Sequence, residues 1–578
     1  MHKFLPHFTQ IKNCKKLWQH LVLLLVFICT LSSCQERKEK GIEEEKARPI
    51  ETAQMDDYVK TNLLKLLTNA GSAASKKIDD STQLLFFPVV HYYYSHSYYA
   101  PIWSSQEKWK PYTDSLLSYL AHGTTDGLLP EQYQLSLLQS IKQLIDSDLV
   151  KRKDPALWAK ADLLLSDAFF HVLQDLKQGR LQPDSLGWKN NTERQEKFFS
   201  VYMNKLLSGD SISSIVKSLQ PELRGYLALK KSIPAFIDSM DTKSYTYLQY
   251  PYKDSLAFLK RLLTRLSESG YKVAPVSNLD SAGLTRLLIQ YQTKKGFKET
   301  GKLSVPLISS LNNTDQERLR RIALTLDKYK KLPLRLPEKY ILVNLPSYKL
   351  EVWEKDSLVM ESKVIIGKPG TPTPHISSQI SDLVIFPTWT VPNSIIMKEL
   401  LPGLKKNPGY LAKKGLALYN NDGDLVDPWS VNWSKYKKGI PYFIRQGSGD
   451  DNALGVIKFN FKNPYSVYLH DTNQRYLFKN KMRSLSHGCV RVEDWKKLAF
   501  YIARNDSLYY PQRDSFNFNT DSITSWIARK ERHVVAVRKQ IPIFILYFGC
   551  VGANGTVRFY DDVYGEDKVL REKYFAHK

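Results

Sequence analysis

The chain has 578 residues, too many for one ordinary hydrophobic core, so a length prior gives roughly three or four domains. Its composition is that of a globular protein, with 43% hydrophobic and 24% charged residues. The formal charge of +25 comes from scattered Lys and Arg with no basic patch joined to a recognition element; this argues against a nucleic-acid partner and for a polyanionic or carboxylate-rich one.

In chain order, Lys3, Lys12, Lys15 and Lys16 precede an apolar run from Leu21 to Leu31, too short to span a bilayer comfortably. Leu31-Ser32-Ser33-Cys34 resembles the lipobox of bacterial lipoproteins. That resemblance implies a signal peptide over 1–33, a lipid on Cys34, and a body exported to the periplasmic side of a membrane. Gln35, where aspartate would signal retention in enterobacterial sorting, favours the outer membrane. An ordinary secretory signal is the alternative, and it too exports the protein. Removing residues 1–33 deletes Cys14 and Cys29, so Cys489 and Cys550 remain as thiols without a disulfide framework. Cys550 sits in the apolar run Ile541–Val551 and reads as a small buried hydrophobe; Cys489 reads as the reactive one.

Residues 34–56 are a polar, charged tether, with order expected near Tyr58. A helical scaffold domain follows over 57–250. Its clearest helix covers 155–178, with Asp154 as cap, Pro155 at the first position, and Leu157, Ala161, Leu164, Leu165, Ala168, Phe169, Val172, Leu173 and Leu176 at helical spacing. A small module over 251–332 shows the same periodicity in Leu256–Leu266, Leu284–Tyr291 and Leu319–Leu326, predicting three short helices. Beyond a linker the period becomes two: Tyr340–Asn344, Lys349–Trp353, Leu358–Ile366, Tyr442–Arg445, Ala453–Phe461, Ser466–Leu469, and a hairpin of Ile541–Val551 with Thr556–Tyr564. The fold class is therefore multidomain α+β, its last domain (338–565) a mainly β barrel or sandwich. A helical lid is inserted at about 392–440, and 566–578 is a C-terminal tail. A helix with Trp495, Leu498, Ala499 and Ile502 as its buried stripe follows Arg491, which places Cys489 in a connection leading to a helix N-terminus.

The chemistry concentrates in Ser486-His487-Gly488-Cys489-Val490-Arg491 and in His470 upstream. A thiol is only a few per cent ionised near neutral pH, and a histidine beside it can take its proton. Cys489 as nucleophile and His470 as base form such a pair. Gly488 allows a tight turn whose amides, residues 487–489, could bind an oxyanion. Zinc is disfavoured, because the His487–Cys489 spacing is unusual for ligands and no CxxC or HExxH partner exists. No metal or cofactor is expected.

These residues resemble the signature of the YkuD-type L,D-transpeptidases. Thr371-Pro372-Thr373-Pro374, Pro387–Pro392, Asn407–Leu411, Arg445-Gln446, Asn452–Gly455 and Val467–Thr472 resemble its large, YcbB-like branch. Tyr99–Trp103, Leu165–Phe169 and Gly179–Pro183 are similar to that branch's scaffold domain, and Tyr291-Gln292, Lys295–Phe297, Thr300-Gly301 and Leu311-Asn312 to a small peptidoglycan-binding module. The resemblance implies that Cys489 is acylated by a peptidoglycan stem peptide, with His470 as base and His487 and Gly488 on the oxyanion side. It further implies Arg491 near the substrate carboxylate, Ser486, Gln446, Asn452 and Tyr468 lining the substrate site, Trp389 and Tyr410 in the lid, and carbapenem-type β-lactams as inhibitors. Transfer of the acyl group to a second stem would give a 3→3 cross-link; transfer to water or another amine, or a non-catalytic wall-binding lipoprotein, are the alternatives. On the residues alone, Arg491 could equally pair with Asp471 or Glu493, His487 could merely orient the turn, and Lys458 reads as solvent-facing.

Overall fold

The computed structural model describes residues 51–72, 76–181, 192–275, 280–509 and 518–575. The signal peptide, Cys34, most of the tether, and Gln182-Pro183 of the scaffold signature lie outside these residues. A helix begins at Met55, inside the stretch expected to be tether. Met55, Val59, Leu63 and Leu67 are buried along one face of the helix Met55–Ser72, a stripe short enough to be overlooked beside so many charges. This helix packs on α1 (Pro155–Lys177), which starts as its sequence requires: the Asp154 carboxylate accepts from the Ala156 and Leu157 amides and Pro155 takes the first position. The scaffold core closes around α1 with Trp103, Trp158, Phe169 and Phe170. Two buried acids of α1 pin the preceding loops to it. Asp162 accepts from the Ile102 and Trp103 amides, and Asp167 accepts from Leu85 and Phe86.

Among the helices of 251–332, the third apolar stretch has a different use from the expected one. Ser255–Glu268, Ser281–Lys294 and Val305–Asn312 make a core of their own around Leu262, Leu266, Leu288, Tyr291, Ile308 and Leu311. The Leu319–Leu326 stretch belongs instead to α3 (Asp315–Tyr329). On one face its Ile322, Leu326 and Tyr329 join Tyr226, Leu229 and Ile233 of α2 (Arg224–Ser239) and Phe548 and Cys550 of the last domain; on the other its Ala323 and Leu324 join Leu129, Leu181 and Phe575. A helix buried on both faces is a joint between domains, and period alone does not distinguish it from a module helix.

The last domain contains β1 (Lys339–Asn344), β2 (Lys349–Glu354), β3 (Ser357–Gly367), β4 (Ile376–Ile385), β5 (Trp389–Thr390), β6 (Leu416–Tyr419), β7 (Leu425–Val426), β8 (Phe443–Gln446), β9 (Ile457–Phe461), β10 (Leu469–His470), β11 (Ser484–Ser486), β12 (Val490–Val492), β13 (His533–Ala536), β14 (Pro542–Leu546), β15 (Cys550–Ala553) and β16 (Thr556–Phe559). Hydrogen bonding runs β9-β10-β12-β3-β2-β1-β14-β4, and β4 returns to β9, so the sheet closes on itself. Ile341, Val343, Val352, Ile366, Phe459, Leu469, Val490 and Ile543 fill the inside, with Leu498 and Ile502 of α4 (Trp495–Tyr509) sealing it. The apolar run expected to be one strand of the final hairpin splits in two: β14 belongs to the barrel, and only β15 pairs β16. The break is Tyr547-Phe548-Gly549, where a Cβ on Gly549 would collide with the Asp567 carboxylate.

Residues 566–575, expected to be a tail, carry the helix α5 (Glu566–Tyr574). Acids open it and bases close it, as the helix dipole favours. Arg571 Nε meets Glu317 of α3 at 2.7 Å, and Asp567 takes the buried Lys328 ammonium at 2.6 Å. The insertion between β4 and β9 is more than helical. Besides the short helix Leu401–Lys406 it has a four-stranded sheet, β5-β8-β6-β7, and a core of Val391, Ile396, Leu400, Leu404, Leu418, Trp433 and Ile444. It is a subdomain anchored by both its strand ends.

Candidate active site

Three strands of the barrel align the chemistry. In β9, β10 and β12, Lys458 faces His470, and His470 faces Arg491, in one cross-strand row. Two-residue periodicity then puts Tyr468 on the His470 side of β10 and Cys489 on the Arg491 side of its own segment. The sequence brings these five side chains together from positions far apart, because β10 pairs β9 antiparallel and β12 parallel. Cys489 is half-buried. Its thiol donates to the Ser466 carbonyl at 3.9 Å. Ser466 takes a left-handed backbone (φ 56°), held by Asn463, whose Oδ1 accepts from the Tyr465 and Val467 amides. That turn aims the carbonyl at the sulfur.

The turn before Cys489 is tied from within. Ser486 Oγ donates to the Cys489 carbonyl (2.5 Å) and accepts from the Gly488 amide (3.1 Å). Gly488 has φ +123°, a backbone that side-chain-bearing residues rarely adopt. Thr373 Oγ1 donates to the Gly488 carbonyl and accepts from the Gly367 amide, so the Thr371–Pro374 loop braces the turn. Tyr564, after the final hairpin, adds a strut: its hydroxyl donates to Gly367 and accepts from Thr373. The connection expected to lead from Cys489 straight into a helix instead carries β12, which stands between Cys489 and the start of α4 at Trp495.

His470 is buried, and its Nδ1 lacks a hydrogen-bond partner. Burial first, then the positive charges of Arg491 and Lys458, push the imidazole down to about 3, against a weaker opposing pull from the Asp471 and Leu454 backbone groups, which lie near the ring without bonding to Nδ1. It is therefore a neutral imidazole at any working pH. Burial raises the Cys489 thiol, and Tyr468, Lys458 and Arg491 each pull it back down. Tyr468 lies edge-on to His470 with ring centroids 5.6 Å apart. Its hydroxyl, raised by burial and by the thiol, is also in reach of the Trp389 side chain.

The remaining predicted residues fall into two groups. Gln446 and Asn452 tie the loop that leads into β9: Gln446 accepts from the Ala453 amide and donates to Asp451, while the buried Asn452 donates to Gly447 and accepts from Leu454. Trp389 and Tyr410 pack at the margin of the lid core. The His487 ring is exposed and turned outward, with Nε2 2.6 Å from Glu399 Oε1 in the lid and 3.5 Å from Lys368 Nζ. Glu399 lies in a π-helical turn, Ile396–Leu400, a local geometry that often accompanies functional sites. Burial raises the Glu399 carboxyl, but His487 and Lys368 outweigh it and hold it below its ordinary value.

Arg491 pairs with neither acid that the sequence offered. Asp471 is fully buried, accepts from Arg475 at 2.5 Å and from the Val456 amide, and Glu493 lies toward Lys363. A Cβ on Gly455 (φ +62°) would overlap that Asp471 carboxylate, which is why the turn before β9 needs glycine. Arg491 instead reaches Gln474 at 3.2 Å, and its Nε is buried without a partner. Lys458 is half-buried over the Tyr468 ring, 4.0 Å from its centroid, contrary to the solvent-facing role expected of it. Period-two reading points Lys458 out of the barrel, but only the register of β9 on β10 reveals what it meets there. Among the described residues no group of His, Cys, Asp and Glu is arranged to hold a metal ion, and no helix is long and apolar enough to cross a membrane.

Residues 338–509 match the family model for the YkuD L,D-transpeptidase catalytic domain, and residues 88–233 match that for the Scaffold domain. A curated Haemophilus influenzae protein named "Putative L,D-transpeptidase" is 35% identical over 230 residues, 40% of this chain and 45% of the relative. The chain thus spans less than half the length of that relative. Solved structures that match include an L,D-transpeptidase from Mycobacterium smegmatis (12% identity, TM-score 0.17, 36% of this chain and 58% of that one). Mycobacterium tuberculosis L,D-transpeptidase 1 also matches (12%, 0.16, 36% and 61%), as does the Ldtfm-avibactam carbamoyl enzyme (13%, 0.16, 45% and 80%).

Proposed function

Because residues 338–509 are an L,D-transpeptidase catalytic domain joined to a Scaffold domain, we propose that this protein remodels peptidoglycan by forming 3→3 cross-links through a thioester on Cys489. The observation that carries the reading is the half-buried thiol beside a cross-strand row that contains a neutral, buried histidine. Cys489 Sγ attacks the carbonyl of the third residue of a tetrapeptide stem, a diamino acid, while His470 accepts the thiol proton. The tetrahedral intermediate expels the terminal D-alanine, whose amine takes that proton. A side-chain amine of a second stem then attacks the thioester, restores the thiol and leaves the cross-link. One amide replaces another, so no ATP is needed.

The thioester must be shielded from water until the acceptor arrives. The lid subdomain is suited to this, and the Glu399–His487 contact fastens it two residues from the nucleophile. The lipobox-like Leu31–Cys34 supports export with a lipid on Cys34, and Gln35 after it favours the outer membrane, within reach of the wall. Incubation of the purified protein with disaccharide-tetrapeptides, read by mass spectrometry, tests the reading. Cross-linked dimers with release of D-alanine are expected; tripeptide alone, or stems with an exchanged terminal residue, would reassign the thioester to hydrolysis or exchange. In the same assay Glu399→Ala is expected to raise tripeptide relative to dimer by about twofold or more, since a loosened lid admits water. An unchanged ratio removes the lid from control of the thioester.

A further inference from the structure

We propose that Tyr564 is a positioning residue for acyl transfer, acting through Thr373 to aim the Cys489 amide at the oxyanion that forms when the Cys489 sulfur attacks. That it serves acyl transfer rests on the function proposed above; the hydrogen-bond chain from Tyr564 to the Gly488 carbonyl does not. Tyr564 lies beyond residues 338–509, the part of the chain that matches the catalytic-domain model. Of the amides in the turn, that of Gly488 is taken by Ser486 Oγ, and that of Cys489 donates to no group among the described residues. The direction of this free amide is set by the carbonyl before it, because the trans peptide plane points Gly488 O and Cys489 N–H to opposite sides. Thr373 Oγ1 holds that carbonyl at 2.8 Å. The Cys489 N–H is thereby turned away from the Thr371–Pro374 loop, where a fixed amide can stabilise a developing oxyanion.

Thr373 holds the carbonyl in one place only if its own backbone is fixed, and Tyr564 supplies that. The Tyr564 hydroxyl donates to Gly367 O at 2.8 Å and accepts from the Thr373 amide at 3.1 Å, joining the end of β3 to the loop. The Gly367 amide in turn donates to Thr373 Oγ1 at 2.9 Å. With a lone pair so occupied, the threonine hydroxyl has its single proton to give, and Gly488 O takes it. Tyr564 is itself placed by the start of α5. Its amide donates to the Tyr547 hydroxyl at 3.1 Å, that hydroxyl donates to Asp562 at 2.6 Å, and the Asp562 carboxylate accepts from the Asp567 and Lys568 amides. The C-terminal helix, pinned to α3 at the domain joint, thus reaches the turn that carries the nucleophile. Without the Tyr564 hydroxyl, Gly367 O and the Thr373 amide lose their partner, and a small shift of the loop misaims the donor.

The test compares two reactions of Cys489 in the full-length protein, both followed by mass spectrometry. Acylation by a carbapenem passes through an oxyanion; alkylation by iodoacetamide displaces iodide and needs none. Tyr564→Phe is expected to lower the acylation-to-alkylation rate ratio by at least about fivefold, and Thr373→Val by at least about tenfold, while Thr373→Ser, which keeps the hydroxyl, stays within about twofold of wild type. Adding Tyr564→Phe to Thr373→Val should lower the ratio by no more than about twofold further, because one residue acts through the other. A general change in thiol reactivity cancels in the ratio, and serine would not restore a packing defect. A ratio unchanged in Tyr564→Phe, or fully additive losses in the double variant, overturns the proposal. Hydrogen exchange over residues 486–491 requires no reaction and is expected to quicken by at least about threefold in Tyr564→Phe and Thr373→Val but not in Thr373→Ser; unchanged exchange overturns the proposal as well. Neither readout uses peptidoglycan, so a failure to form cross-linked dimers would count against the proposed function and leave this result standing.

Discussion

Cys489→Ala is expected to reduce formation of cross-linked dimers and release of D-alanine to background, a loss on the order of 10⁴-fold or more, while the protein melts within a few degrees of wild type. The size of the effect follows from covalent catalysis: without the sulfur no acyl-enzyme forms, and every product of the thioester disappears together. The small effect on stability follows from the thiol's surroundings. Cys489 is half-buried and gives one long hydrogen bond to Ser466, whereas the turn around it is held by Ser486, Thr373 and Gly488 through atoms the substitution keeps. A carbapenem should acylate wild-type protein once, on the peptide bearing Cys489, and leave the variant unmodified in a whole-protein mass spectrum. Cys550 is no substitute. It is fully buried, its thiol is raised to about 12 by burial, and it is hydrogen-bonded to Thr325. Retention of dimer formation by Cys489→Ala would exclude the thioester mechanism in both its transfer and hydrolysis forms.

How much of this was legible in the sequence depends on the range over which each feature acts. The helix Pro155–Lys177 was legible to within a residue because its cap, its first-turn proline and its apolar period are all local. Cys489 and His470 stand out in the sequence as candidates because residue type and a glycine turn restrict their chemistry. What was not legible depends on pairing across the chain. Lys458 looks like any strand lysine until β9 lies on β10 and sets it against His470. Tyr564 braces the loop beside the Gly488 turn from a position beyond the final hairpin. The outward turn of His487 required a lid carboxylate, Glu399, whose approach no local pattern announces. The joint role of α3 was hidden for a related reason: a helix buried on two faces carries the same period as one buried on a single face.

His470→Ala is expected to lower the acylation rate by about 10²–10⁴-fold, the usual worth of a positioned general base, and the pH dependence should distinguish it from a packing defect. In the wild-type protein the imidazole is pushed down to about 3 by burial and by Arg491 and Lys458, and burial raises the thiol above its ordinary value. His470 therefore becomes protonated only far below neutrality, and between pH 5 and 8 its charge does not change in the free enzyme. Acylation measured as kcat/KM should accordingly stay nearly level with pH up to the range in which the thiol ionises, without the inflection near 6.5 that an exposed catalytic histidine gives. In His470→Ala the rate should instead climb with pH, because solvent hydroxide then removes the thiol proton, and the two profiles should converge as the thiol ionises unaided. A variant that had merely lost packing would be slower by the same factor at every pH. An inflection near 6.5 in the wild-type profile, absent from the variant, would mean that His470 titrates in the free enzyme and that burial and the two flanking cations do not hold it neutral.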